Sequence, residues 1–288
     1  MAFKSALAEA QSAVQTFLKK ELSAREFGPM GAPMEYALLN GGKRLRAFLV
    51  IETARLYSVP LAQALYAAGA IECIHAYSLV HDDLPAMDDD DLRRGKPTVH
   101  MKWDEATGIL VGDGLQSFAF ELLSNSTIPN PAIRSELVLS IARAAGASGM
   151  VLGQALDIAA EAGGAQDIDT ISAIQRAKTG ALIEWSAEAG PKLAGCDPKV
   201  LGSYARHIGL AFQIQDDVLD VEGSEAQTGK RLQKDAAAGK ATFVSLFGLE
   251  GAKSKAKREV EQAVLQIENL DGAENLRDLA QFIIRRDK

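Results

Sequence analysis

Apolar residues recur at three- and four-residue intervals through almost all of this 288-residue chain, and that period restricts it to helices. Residues 32–57 carry Leu38, Leu45, Leu49 and Leu56 at such spacing, and residues 61–81 place Leu65, Ala68, Ile71 and Ile74 on one stripe. The first 22 residues form an amphipathic pattern, and two further helices are expected over 132–162 and 168–190. Asp197-Pro198 opens another, running to about Val221, because proline is tolerated in a first helical turn. Two charged amphipathic helices over 253–268 and 273–286 close the chain. Forty-seven Ala and 33 Leu against 17 aromatic residues suit helices and argue against a sandwich or barrel. The expected fold is all-α and a single domain over 1–288, long enough to bury a core without staples.

Charge narrows the setting. With 31 basic and 38 acidic residues the net charge is −7, which disfavours a general nucleic-acid binder. Cys73 and Cys196 are expected as buried thiols in a reducing compartment. The N-terminus lacks the apolar core of a signal peptide, and no stretch approaches the roughly 18 apolar residues of a membrane span. A cytoplasmic protein without a membrane span is the expectation.

Two stretches escape the helical period, 83–107 and 222–239, each holding glycines or prolines and each following an aspartate-rich helix end. The first acidic segment packs six aspartates into the ten residues 82–91, and the second comprises Asp216, Asp217 and Asp220. On a helix Asp216 and Asp220 are four apart and Asp217 and Asp220 three apart, so they share a face. Like charges so placed repel, and helix C-termini disfavour anions, so the chain tolerates one electrostatic cost twice. All-oxygen ligands suit a hard divalent cation, and Mg²⁺ prefers one or two carboxylates plus water and phosphate oxygens. A solvated acidic face is the alternative, weakened at the second segment by Phe212, Ile214, Val218 and Leu219. An EF-hand loop would need a mid-loop glycine and terminal glutamate that residues 82–93 lack, and four histidines are too few for a His-rich metal site.

Cations accompany both segments. Arg93, Arg94 and Lys96 follow the first, and Lys230, Lys234 and Lys240 follow the second. Arginine grips phosphate oxygens bidentately, and lysine acts as a point charge. Near the N-terminus Gly41-Gly42 precedes Lys43 and Arg46, which lie one turn apart. Lys178-Thr179 sits in an otherwise apolar helix, where a lysine needs a partner.

Read together, GGKRLR, HDDLPAMDDDDLRRGKPTVH, GDGLQSFAFELL, GQALDI, KTGALIEWS and FQIQDDVLD resemble the trans-isoprenyl diphosphate synthase family, in its order and spacing, from about residue 32 to the C-terminus. The likeness is greatest to the bacterial farnesyl diphosphate synthase group. One departure is Ala47, where the family commonly has proline. The resemblance implies an all-α bundle around a deep central cavity, usually a homodimer. It assigns Asp82, Asp83 and Asp88 and Asp216, Asp217 and Asp220 to about three Mg²⁺ ions held against an allylic diphosphate, dimethylallyl or geranyl. It assigns Arg93, Lys178, Thr179, Gln213, Lys230 and Lys240 to that diphosphate, and Lys43, Arg46, His75 and Arg94 to isopentenyl diphosphate. Gln154 and Asp157 match a Gln-x-x-Asp element lining the cavity, for which Phe118, Phe120, Phe212, Leu79 and Tyr77 are further candidates. Tyr77, five residues before Asp82, resembles the floor of a fifteen-carbon product site. The implied reaction is head-to-tail condensation giving farnesyl diphosphate. A geranylgeranyl diphosphate synthase, a class I terpene cyclase and a silent partner subunit are the alternatives.

Overall fold

The computed structural model describes residues 2–163, 167–222 and 242–285. In chain order these form α1 (Ala2–Ser23), a 3₁₀ turn (Gly28–Met30), α2 (Gly31–Leu39), α3 (Leu45–Leu56) and α4 (Leu61–Asp82). A two-stranded antiparallel hairpin follows, β1 (Leu92–Arg93) with β2 (Lys96–Pro97), then α5 (Val99–Lys102), α6 (Glu105–Leu123), α7 (Pro131–Ala145) and α8 (Met150–Gly163). The remainder is α9 (Ile168–Gln175), a π turn (Arg176–Gly180), α10 (Ala181–Leu193), α11 (Lys199–Glu222), α12 (Phe243–Gln266) and α13 (Glu274–Arg285). The all-α expectation holds, with one tiny hairpin where a loop is expected.

The chain divides into two compact units, residues 1–138 with 189–195 and residues 139–188 with 196–288. In the first, α4 is buried along nearly its whole length, from Ala64 through Ile71 and Ile74 to Val80. Its small residues let neighbours approach, and α3 adds Phe48, Leu49 and Val50 to the same core. In the second, Ile214 and Val218 of α11 pack with Phe243, Ala252 and Ala256 of α12 and with Ile171 of α9. The Tyr204 hydroxyl donates to the Leu276 carbonyl at 2.7 Å, fixing the start of α13 against α11.

Glycine and charge interrupt helices that the apolar period alone runs together. Residues 32–57 are two helices, because Gly41 and Gly42 adopt φ of 81° and 103° and Arg44 follows at 51°. Residues 132–162 likewise break at 146–149, where Gly146 and Gly149 sit in a turn. The most apolar 18-residue window falls in 131–160, yet the helices on either side of that turn have 15 and 14 residues, short of the roughly 20 a span needs. The helix expected over 168–190 contains a π turn. Cys73 is buried as expected, but Cys196 is exposed in the connection after α10, since the apolar period ends at Leu193.

Candidate active site

Asp82 is the last residue of α4 and Asp83 its C-cap. The chain then folds back over the helix end. The Asp88 amide donates to the Asp82 carbonyl at 2.9 Å, the Asp90 amide donates to the Asp83 carbonyl at 3.2 Å, and Asp89 takes a left-handed φ of 50°. This leaves Asp82 half-buried, Asp88 exposed and Asp83 buried. Arg93, from β1, clamps Asp83 Oδ1 with Nε at 2.6 Å and Nη2 at 2.5 Å. Burial pushes the Asp83 carboxyl up against the opposing pull of Arg93, and for Arg93 the carboxylate outweighs burial and raises the guanidinium.

The glycine-rich segment lies beside this pair. The Arg94 guanidinium lies over Gly42, and its Nη1 donates to the Gly41 carbonyl at 2.6 Å. A methyl group at position 42 would fall 2.6 Å from that nitrogen, so only glycine gives the guanidinium its seat. Arg44, buried, donates to Glu72 Oε2 at 2.7 Å. A small cleft is lined by Tyr36, Asn40, Arg44, His75, Arg93 and Arg94 among others, with Asp83 on its wall. His75 is half-buried there, and desolvation together with Arg46, Arg94, Arg44 and Arg93 holds it well below its ordinary value of 6.5, so it is neutral. The structure thus brings His75, Arg93 and Arg94 together, whereas Lys43, on the adjoining loop, and Arg46, in the first turn of α3, do not line the cleft. Sequence reading missed Arg44, Asn40, Tyr36 and Glu72; a buried arginine inside a basic run leaves no periodic signal.

Tyr77 is buried on α4 with its ring edge-on to His81, centroids 5.8 Å apart. Its hydroxyl has no partner in hydrogen-bonding geometry; burial raises its pKa, with Gln116 opposing. Phe118 packs edge-on to Phe27 under the Arg25 guanidinium, which makes it plain core.

In the second unit Lys178 sits within the π turn, and its Nζ meets the buried Asp157 Oδ2 at 2.6 Å. The turn rests directly on α8: a Cβ at Gly153 would come within 2.1 Å of the Lys178 amide nitrogen. Gln154, one residue on, keeps a buried Oε1 with no hydrogen-bond partner. Thr179 and Gln213 are half-buried. Asp216 is exposed and Asp217 and Asp220 half-buried on the last two turns of α11. Asp217 Oδ2 accepts the Phe243 amide at 2.7 Å, tying the first turn of α12 to α11. Lys230 and Lys240 lie outside the described residues.

Among the described residues no three acidic, histidine or cysteine side chains converge into a closed cation cage. Mg²⁺ does not require one, because it takes one or two carboxylates and completes its shell with water and phosphate oxygens. Carboxylate oxygens, at the end of α4 in one unit and on α11 in the other, are hard donors of the kind Mg²⁺ takes.

Helices ending in aspartates, with arginines on short turns beside one of them, define an all-α protein built to handle an anionic ligand. The chain belongs to the polyprenyl synthetase family, whose sequence model matches residues 29–281. It is 44% identical to the farnesyl diphosphate synthase of Haemophilus influenzae, across 99% of this chain and 98% of that protein. A solved FPP/GFPP synthase from Zymomonas mobilis matches 98% of this chain and 99% of its own at 42% identity and a TM-score of 0.89. A geranyltransferase from Helicobacter pylori, solved with magnesium and isoprenyl diphosphate, matches 98% of both chains at 34% identity and a TM-score of 0.85.

Proposed function

We propose that this protein is a Mg²⁺-dependent prenyltransferase that condenses isopentenyl diphosphate with dimethylallyl and geranyl diphosphates, its main product being farnesyl diphosphate. The observation that carries this reading is the cleft in which neutral His75 stands with Arg93 and Arg94 beside Asp83. Such a cleft suits a diphosphate, and full-length likeness to farnesyl diphosphate synthases supplies the reaction.

Bound Mg²⁺, about three ions, would neutralise the diphosphate leaving group of the allylic substrate. Asp82, Asp83 and Asp88 and Asp216, Asp217 and Asp220 are the residues that would hold it. Arg93, Lys178, Thr179, Gln213, Lys230 and Lys240 hold the allylic diphosphate and stabilise charge as its C–O bond breaks. Lys43, Arg46, His75 and Arg94 hold isopentenyl diphosphate so that its double bond attacks the allylic carbon. The proton then lost goes to the released diphosphate, so no side-chain base is needed. Apolar walls exclude water from the cation, and Tyr77 sets the product length. A homodimer in the cytoplasm, with all these residues in one domain, belongs to the same reading.

The test is incubation with isopentenyl diphosphate, labelled geranyl diphosphate and Mg²⁺, with products resolved by chain length. A fifteen-carbon diphosphate is expected. A twenty-carbon product would make it a geranylgeranyl diphosphate synthase, hydrocarbon without isopentenyl consumption a cyclase, and no product a silent subunit.

A further inference from the structure

Within the first unit, one buried carboxylate joins both ends of the loop between α2 and α3. Glu72, on α4, is 2% exposed, and it meets Arg44 Nη1 through Oε2 at 2.7 Å. The same arginine turns its Nη2 to the carbonyl of Leu38, near the end of α2. Glu72 Oε1 meanwhile accepts the Ala47 amide at 3.1 Å, the third amide of α3. That amide is one of the orphan donors of a helix start, and α3 has no side-chain cap of its own. Proline, which the family commonly places at this position, would have no such donor.

Between the two ties the backbone runs through Gly41, Gly42 and the left-handed Arg44, and carries Lys43 and Arg46. Gln11 of α1 adds a bond to the Lys43 carbonyl at 2.7 Å. A buried ion pair is weak evidence for stability, because desolvating both partners offsets their attraction. What this one does is fix a register. With Arg44 drawn inward and paired, Lys43 is placed by the turn before it and Arg46 by the first turn of α3 after it.

We propose that Glu72 is a positioning residue for isopentenyl diphosphate, acting through Arg44 and the Ala47 amide to hold Lys43 and Arg46 in place. This rests on the reading of those two cations given above. Steady-state kinetics of the full-length enzyme, with isopentenyl and geranyl diphosphates varied separately, tests it. Glu72→Gln keeps the volume but cannot serve a guanidinium and an amide donor at once. It should raise KM for isopentenyl diphosphate about ten- to a hundredfold, with kcat and KM for geranyl diphosphate within about threefold of wild type. Arg44→Lys keeps the buried charge yet cannot reach Glu72 and Leu38 together, so it should show the same selective rise and decides the matter if Glu72→Gln does not fold. The Arg44→Met/Glu72→Met double variant should recover the melting temperature while KM for isopentenyl diphosphate stays raised. An unchanged KM for isopentenyl diphosphate, or all constants worsening in step with the melting temperature and recovering with it, would overturn the proposal. Wild-type enzyme that does not consume isopentenyl diphosphate would instead overturn the functional reading.

Discussion

Asp82 ends α4, where the backbone dipole opposes negative charge, and Asp216 lies nearly two turns before the end of α11; neither is fully buried. Replacing either by alanine should lower turnover at least about a hundredfold, the loss typical of removing one electrostatic stabiliser. Steady-state rates at saturating Mg²⁺ measure it, and near-normal turnover would contradict the assigned role. Tyr77→Ala opens space beneath the acidic segment and should shift products towards twenty carbons or more, read by chromatography of the dephosphorylated prenols. Because Tyr77 is only 5% exposed, the same change should cost about 3–5 kcal/mol of stability. His75 supplies a pH test. Its folded pKa lies well below the unfolded value of 6.5, so the unfolded chain binds the proton first as pH falls. Its contribution to stability is full above pH 6.5 and declines as pH falls below it. His75→Gln should flatten the dependence of melting temperature on pH in that window. At this scale the sequence was a good guide to charges and a poor one to partners. The aspartates and arginines stood out by type and spacing, whereas the pairing of Asp83 with Arg93 depends on the hairpin turn, which has no period.

At the scale of elements, the π turn at residues 176–180 widens the helix where Lys178 must reach Asp157. Apolar spacing hides it, since one extra residue in a turn barely disturbs the stripe. Its seat on Gly153 is tight enough that Gly153→Ala should destabilise by about 1–3 kcal/mol and displace Lys178. Thermal melts and turnover should fall together. The helices themselves were legible from Leu and Ala spacing, and α4 and α11 end within a residue of the expected positions. Apolar spacing continues across 40–44 and 146–149, where paired or nearby glycines break the helices without disturbing the pattern.

Over the whole molecule, the two units are not consecutive in sequence. Residues 189–195 belong with 1–138, and Ala189, Lys192 and Leu193 are buried. A fragment ending at residue 138 therefore loses part of its own core and should melt well below the intact chain, or fail to fold, by circular dichroism. Length and composition could not reveal this, because no linker or change in residue usage marks either crossing.

The carboxylate that anchors α12 carries a lesson for mutagenesis. Asp217 serves as a hinge pin as well as a proposed ligand, so its alanine variant should weaken heat resistance and turnover together. The neighbouring Asp216, exposed and one position earlier, should lose turnover while the protein melts as before. Equal letters in one acidic segment thus stand for unequal trades.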